Sequence, residues 1–259
     1  MCYDVSLTVN IRVLSDYFPD LIFDSQIEME FGSIDHVQGV GVFGKYPIIY
    51  QHREDMKLHC GLMEWGIIPF YINDEASFIR KRATMLNIRS EKILDDKLSY
   101  WNKIRNNRCL VPVSGFYEHR DIAGWKKKLP YYIQLKEQQT FFLPGLYSIA
   151  NLADKDTGEV FTKYTFGIIT RNANSVMKQI HNCGDNAGRM PLLLSLRAAT
   201  NWLNRELTDE AYREILNSEM PSEQLTYYTV DTIRTQKKRV DGKAKNEFFE
   251  WKQVPELVL

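Results

Sequence analysis

The chain has 259 residues, 44% hydrophobic and 25% charged, with a formal net charge of zero. That supply of apolar side chains is ample for a sizeable core, and 12% aromatics with no Pro/Gly/Ser-rich linker exclude a disordered chain. Electroneutrality excludes a global pull toward polyanions, so any nucleic-acid contact needs a local basic face, for which Arg80-Lys81-Arg82, Lys126-Lys127-Lys128 and the run 234–245 are candidates.

No apolar run is long enough to span a bilayer, and no basic segment followed by an apolar one marks a secretory leader. Four widely spaced cysteines, Cys2, Cys60, Cys109 and Cys183, form no CxxC pair. This argues against a zinc site or a disulfide framework and for a reduced, cytoplasmic protein without metal or cofactor.

In chain order, VGVFG (40–44) and YPIIY (46–50) read as strands around a Gly-Lys turn. SEKILDDKLSYWNKI (90–104) reads as one helix, with Ser90 as N-cap and Ile93, Leu94, Leu98 and Trp101 on one face. Four β-rich, aromatic runs follow: 108–119, 130–135, 140–150 and 164–170. Segments 195–203 and 208–216 read as helices capped by Ser195 and Thr208, and TYYTVDTIR (226–234) as a strand. Strands dominate without a βαβ rhythm. The expected class is α+β, one domain over 2–259 on a mostly antiparallel sheet with peripheral helices.

Four stretches carry chemistry. Cys2 follows Met1; if Met1 is trimmed, Cys2 bears an α-amine of pKa about 8 beside a thiol of about 8.5, and both are nucleophiles near neutral pH. In NIRSE, Asn87 offers an orienting amide and Arg89 a guanidinium fork for phosphate. In RCLVPVSGFYEH, Glu118 ends an apolar run, where burial keeps a proton available for general acid work. In IITRNANSVMKQIHNCGDNAGRMPLLL, His181 is a candidate proton shuttle before a Gly/Asn-rich turn.

Taken together, Cys2, WG-I-I-P, N-x-R-x-E, RCLVP-x-x-GFYE, PYYI, LPGLY, T-F-x-I-I-T and IH…RMPLLL resemble the SRAP (SOS response-associated peptidase-like) family, from residue 2 to about residue 194. The resemblance implies the SRAP fold, with curled, mostly antiparallel sheets, and a protein that binds single-stranded DNA and reacts with abasic sites. It implies loss of Met1 and a thiazolidine crosslink through Cys2, with Asn87, Glu118 and His181 as the other catalytic residues. Glu118 would also serve a lyase-like reversal. Arg89, Thr170, Phe70, Tyr71, Trp65 and Arg189 would form the DNA-binding set. The protein would be a cytoplasmic monomer, nucleoid-associated when bound to damaged DNA.

The sequence departs from the family pattern in several places. MCYD replaces MCGR, so Asp4 stands where an arginine would favour phosphate; GFYEH replaces GFYEW; Glu64 precedes Trp65 where a basic residue is common. NCGDNAG intervenes between His181 and Arg189, and Gly184 and Gly188 are the residues that let such an insertion loop out and return. Three other readings stand beside the crosslinking one. Autoproteolysis before Cys2 would accompany maturation. An N-terminal nucleophile amidohydrolase would use the free amine as base, and a glutaminase assay separates it. A non-covalent reader of modified cytosine would not need Cys2.

Overall fold

The computed structural model describes residues 2–25, 27, 31–235 and 237–258. Among the described residues thirteen strands run in chain order: β1 Asp4–Leu7, β2 Ile22–Phe23, β3 Ile34–Gln38, β4 Lys45–Gln51, β5 Leu58–Trp65, β6 Asn87–Arg89, β7 Arg108–Val113, β8 Gly115–Arg120, β9 Leu129–Leu135, β10 Phe141–Ala153, β11 Val160–Asn172, β12 Arg189–Pro191 and β13 Leu225–Thr229. Several, such as YPIIY in β4 and CLVPV in β7, are buried at every position rather than at alternate ones. A strand does that when both its faces are covered.

The topology supplies the cover. One five-stranded sheet has the order β13-β9-β8-β1-β3; the other, of eight strands, runs β12-β11-β10-β7-β4-β5-β2, with β6 paired to β11. In the second sheet β11 also pairs in parallel with β5, so the ring β11-β10-β7-β4-β5 closes on itself. Tyr46, Ile48, Trp65, Val111 and Phe166 share one of its faces, all fully buried within one core cluster. Most pairings are antiparallel; β5 with β11, β6 with β11 and β2 with β5 are parallel. The fold is α+β, one domain on curled sheets with helices at the periphery, as expected.

Ser195 and Thr208 cap the helices Leu196–Trp202 and Asp209–Asn217, accepting from Ala198 N and Ala211 N. The C-terminal part belongs to the same body: Trp202 Nε1 donates to the Cys109 carbonyl at 2.9 Å, and β13 extends the first sheet alongside β9.

Three local expectations fail. Residues 40–44 form a turn instead of a strand, with Gly41 and Phe43 at positive φ, and β3 ends at Gln38. The 90–104 helix is two single turns, Glu91–Leu94 and Tyr100–Lys103. Ser90 is itself helical and caps nothing; Ser99 caps the second turn, and Leu98 is 90% exposed. Two aspartates and a lysine between the apolar positions leave no continuous face to bury. The strand expected over 226–234 stops at Thr229, where the chain leaves β9.

Candidate active site

Glu118 lies on β8, between β9 and β1, and is 4% exposed. The antiparallel register Val5↔Phe116 brings the N-terminal end of β1 alongside it. Cys2 is fully buried there, its Sγ 3.9 Å from the Asp4 carbonyl oxygen. Burial pushes the Cys2 thiol pKa well up, and the Glu118 carboxyl raises it further, so the resting group is a neutral thiol. Burial likewise raises the Glu118 pKa, against the pull of His181, and a proton stays on it to higher pH than on an ordinary carboxylate.

β6 runs parallel to β11 with Asn87 opposite Ile168. From this buried position Asn87 Nδ2 donates to the Cys2 carbonyl at 2.9 Å. Its Oδ1 is buried and has no hydrogen-bond partner among the described residues. An acceptor left bare beside the backbone of Cys2 is costly unless something else comes to donate to it.

His181 ends the helix Ser175–Ile180, which Asn174 caps by accepting from Met177 N at 3.0 Å. The imidazole is held by the insertion that follows. Gly184 and Gly188 both take positive φ, Gly188 N donates to the His181 carbonyl at 2.7 Å, and the chain re-enters the sheet as β12, with Arg189 opposite Asn172. His181 Nδ1–H then donates to the Arg189 carbonyl at 2.8 Å. That bond leaves Nε2 as the basic nitrogen, 3.9 Å from Glu118 Oε2. The two groups are too far apart to share a proton directly, but one substrate oxygen can reach both at ordinary hydrogen-bond lengths.

Glu118 and His181 open onto a cleft of about 380 Å³, lined also by Tyr3, His119, Lys128 and Arg234 among others. Burial holds His119 neutral, its pKa pushed down to about 4. Asp4 sits beneath the cleft, 1% exposed, in contact with His36 Nε2 at 2.8 Å and Arg234 Nη2 at 2.5 Å. Burial opposes the Asp4 charge, but the bonds from His36 and Arg234 prevail and hold its carboxyl below the usual range. Arg234 itself remains 40% exposed. A cation from the C-terminal segment thus stands against Asp4 at the cleft. Sequence reasoning missed this, because the only local signal was a basic run starting at 234.

The expected DNA-binding set separates. Arg89 is exposed, 3.1 Å from Asn186 of the insertion loop. Phe70 and Tyr71 are 54% and 60% exposed; Tyr71 packs edge-on against Phe70 and Tyr100, and Phe70 lies tilted against Tyr100, whose hydroxyl accepts from Phe70 N and meets Ser148 Oγ at 2.8 Å. Tyr100 was hidden from the sequence by the mistaken helix. The other three are interior. Trp65 is fully buried, stacked on Phe166 and bonded to the Leu86 carbonyl, so it cannot meet DNA. Thr170 is fully buried on β11 and cannot line an accessible pocket. Arg189 is 6% exposed, its guanidinium engaged by Glu91, Asn172 and the Thr170 carbonyl, so it braces the loop. Met1, whose removal the sequence reading requires, lies outside the described residues.

A cysteine at position 2, a buried carboxyl and a histidine whose Nδ1 is bonded to a carbonyl thus gather on curled sheets. Residues 1–235 match the family model described as SOS response associated peptidase (SRAP), and the chain belongs to that family. Among relatives, it is 32% identical to the abasic site processing protein YoqW of Bacillus subtilis (strain 168), over 83% of this chain and 89% of that one. It is 27% identical to the abasic site processing protein HMCES of Xenopus tropicalis, over 66% of this chain and 52% of that one. A crystal structure of a protein from Bacteroides thetaiotaomicron superposes with a TM-score of 0.75 at 28% identity, over 95% of this chain and 97% of that one. Among the described residues, no helix is long and apolar enough to cross a membrane.

Proposed function

We propose that this chain processes abasic sites in single-stranded DNA by bonding to them through Cys2 once Met1 has been removed. The observation that carries the reading is the Asn87 Nδ2 bond to the Cys2 carbonyl at 2.9 Å, made beside a buried Glu118–His181 pair 3.9 Å apart. The names of its relatives support the lesion class.

The ring-opened abasic sugar presents an aldehyde. The Cys2 amine adds to C1′, and loss of water gives an imine; the thiol then adds across C=N, its proton passing to nitrogen, and closes a five-membered thiazolidine. A neutral thiol suits this order, since sulfur need act only after the imine forms. Glu118 donates a proton to the sugar ring oxygen during opening and to the departing hydroxyl during dehydration. His181 Nε2 takes and returns protons at the sugar oxygens. Asn87 Oδ1 accepts from the Cys2 amine and aims its lone pair. Run backwards with the same groups, the steps release the DNA in a lyase-like reversal. Hydrolysis of the Met1–Cys2 bond is the maturation that the family's peptidase description suits. Arg234 and Arg89 flank the cleft as phosphate contacts.

The test is a denaturing gel with single-stranded DNA carrying one abasic site, read beside the intact protein mass. A covalent band from protein that starts at Cys2, absent with Cys2→Ala, is the expected result. Protein verified to begin at Cys2 that gives no band rejects the reading.

A further inference from the structure

At the end of the β4–β5 hairpin, away from the cleft, three side chains converge that the proposed chemistry does not use. We propose that His52, Asp55 and His59 form a binding site for a divalent transition ion of the zinc type, with Asp24 orienting His59. One ligand atom from each of the three lies within 4.8 Å of the others. His59 Nε2 is 2.9 Å from Asp55 Oδ2, and His52 Nδ1 is 3.4 Å from Asp55 Oδ1. His52 Nδ1 is buried and makes no hydrogen bond among the described residues. Donors around tetrahedral zinc, at bonds of roughly 2.0–2.2 Å, stand about 3.4 Å apart, so small side-chain rotations close the set.

Two features make this a built site. The first is the outer partner. His59 Nδ1 faces Asp24 Oδ1 at 3.2 Å, the carboxylate–histidine arrangement that commits the opposite nitrogen to a metal. Asp24 is seated by its backbone N donating to the Cys60 carbonyl and by Gly61, where a Cβ would come within 2.3 Å of Asp24 Oδ2.

The second is preorganisation. His59 lies on β5, opposite Tyr50. The turn from His52 is locked by His52 N donating to Lys57 O, Met56 N to His52 O and Lys57 N to Asp55 Oδ1. The two imidazoles lie with ring centroids 4.6 Å apart and planes 28° from parallel, so both side chains are already gathered at the turn. Asp55 is exposed, which leaves an entry path and an outer position for water. Two imidazoles and a carboxylate match zinc, with copper and nickel as competitors. The cysteine spacing, which argued against zinc, does not bear on this donor set. None of these residues lines the cleft, so the ion would tie β2 to the hairpin without entering the proposed chemistry.

Metal-free full-length protein titrated with zinc chloride in a calorimeter tests the proposal. Expected is one ion per chain at micromolar affinity or tighter and a raised Tm. His52→Ala and His59→Ala should each weaken binding at least 100-fold, Asp24→Asn should weaken it about 10–100-fold, and Cys2→Ala should leave it unchanged. Cobalt substituted for zinc should give tetrahedral absorption without a thiolate charge-transfer band, a readout on the unaltered chain that needs no variant to fold. No stoichiometric binding, binding that survives in folded His52→Ala and His59→Ala, or a thiolate band would overturn it.

Discussion

Two buried clusters of charge in this molecule have opposite characters. Around Arg82, which is 1% exposed, every guanidinium nitrogen makes a bond: Nε to the Gly66 carbonyl at 2.8 Å, Nη2 to Glu64 at 2.8 Å, Nη1 to Glu75, with the guanidinium over the Phe43 ring. Lys163 completes the network, 3.1 Å from Glu64 and 2.7 Å from Glu75. Glu64, set where the family commonly has a basic residue, is thereby explained as a local structural pairing. Around Glu118, His181 stands 3.9 Å off, and Asn87 Oδ1 has no hydrogen-bond partner among the described residues. A saturated network stabilises, while a partly open one keeps its capacity for an incoming group. Burial of charge therefore does not by itself mark the site; hydrogen-bonding capacity left open within it does.

The sharpest way to break this comparison is Cys2→Ala, which should abolish the covalent DNA band while the far-UV spectrum stays unchanged. Next, Glu118→Gln should slow crosslinking about 10²–10⁴-fold, with Tm unchanged or raised, because a carboxyl that burial disfavours has been replaced by an amide. The sign with pH follows from the raised pKa of Glu118. The acid form is the active one and persists above the ordinary carboxylate range. The rate should fall as pH climbs through the shifted value, and that limb should vanish in Glu118→Gln. A rate rising across the same interval would reject Glu118 as the acid.

Arg82→Met should do the reverse. Leaving Glu64 and Glu75 without their guanidinium should cost about 3–5 kcal/mol in chemical denaturation, with crosslinking per folded molecule unchanged. If Arg82→Met instead slowed crosslinking at full stability, the contrast would collapse. Smaller effects are expected at the DNA surface. Phe70→Ala or Tyr71→Ala should weaken single-strand binding by about 1–3 kcal/mol. Arg234→Ala should lower the salt slope of binding by about one contact, measured by fluorescence anisotropy across a salt series.

The outcome for particular residues shows what could be read early. Ser195 and Thr208 were legible as caps because capping is local: an oxygen reaches a backbone N–H three residues on. Cys2, Asn87, Glu118 and His181 were singled out by chemistry and motif context within a few neighbours, and the fold brings them together. Trp65, Thr170 and Arg189 carried the same motif signal, yet they sit in the interior, since a motif records that a residue matters and not which way it faces. The 90–104 helix misled because apolar spacing over fifteen residues does not reveal that Ser99, and not Ser90, does the capping.

By itself the sequence determined the family and the α+β class and singled out Cys2, Asn87, Glu118 and His181, all of which depend on residue types at short spacing. Only the tertiary structure decided which strands close into a ring, that Gly184 and Gly188 return Arg189 to hold the His181 ring, that Arg234 meets Asp4 across 230 positions, and that two histidines and two aspartates meet at one hairpin end. Such contacts between distant residues are set by how the whole core packs, and no short window of the chain contains them.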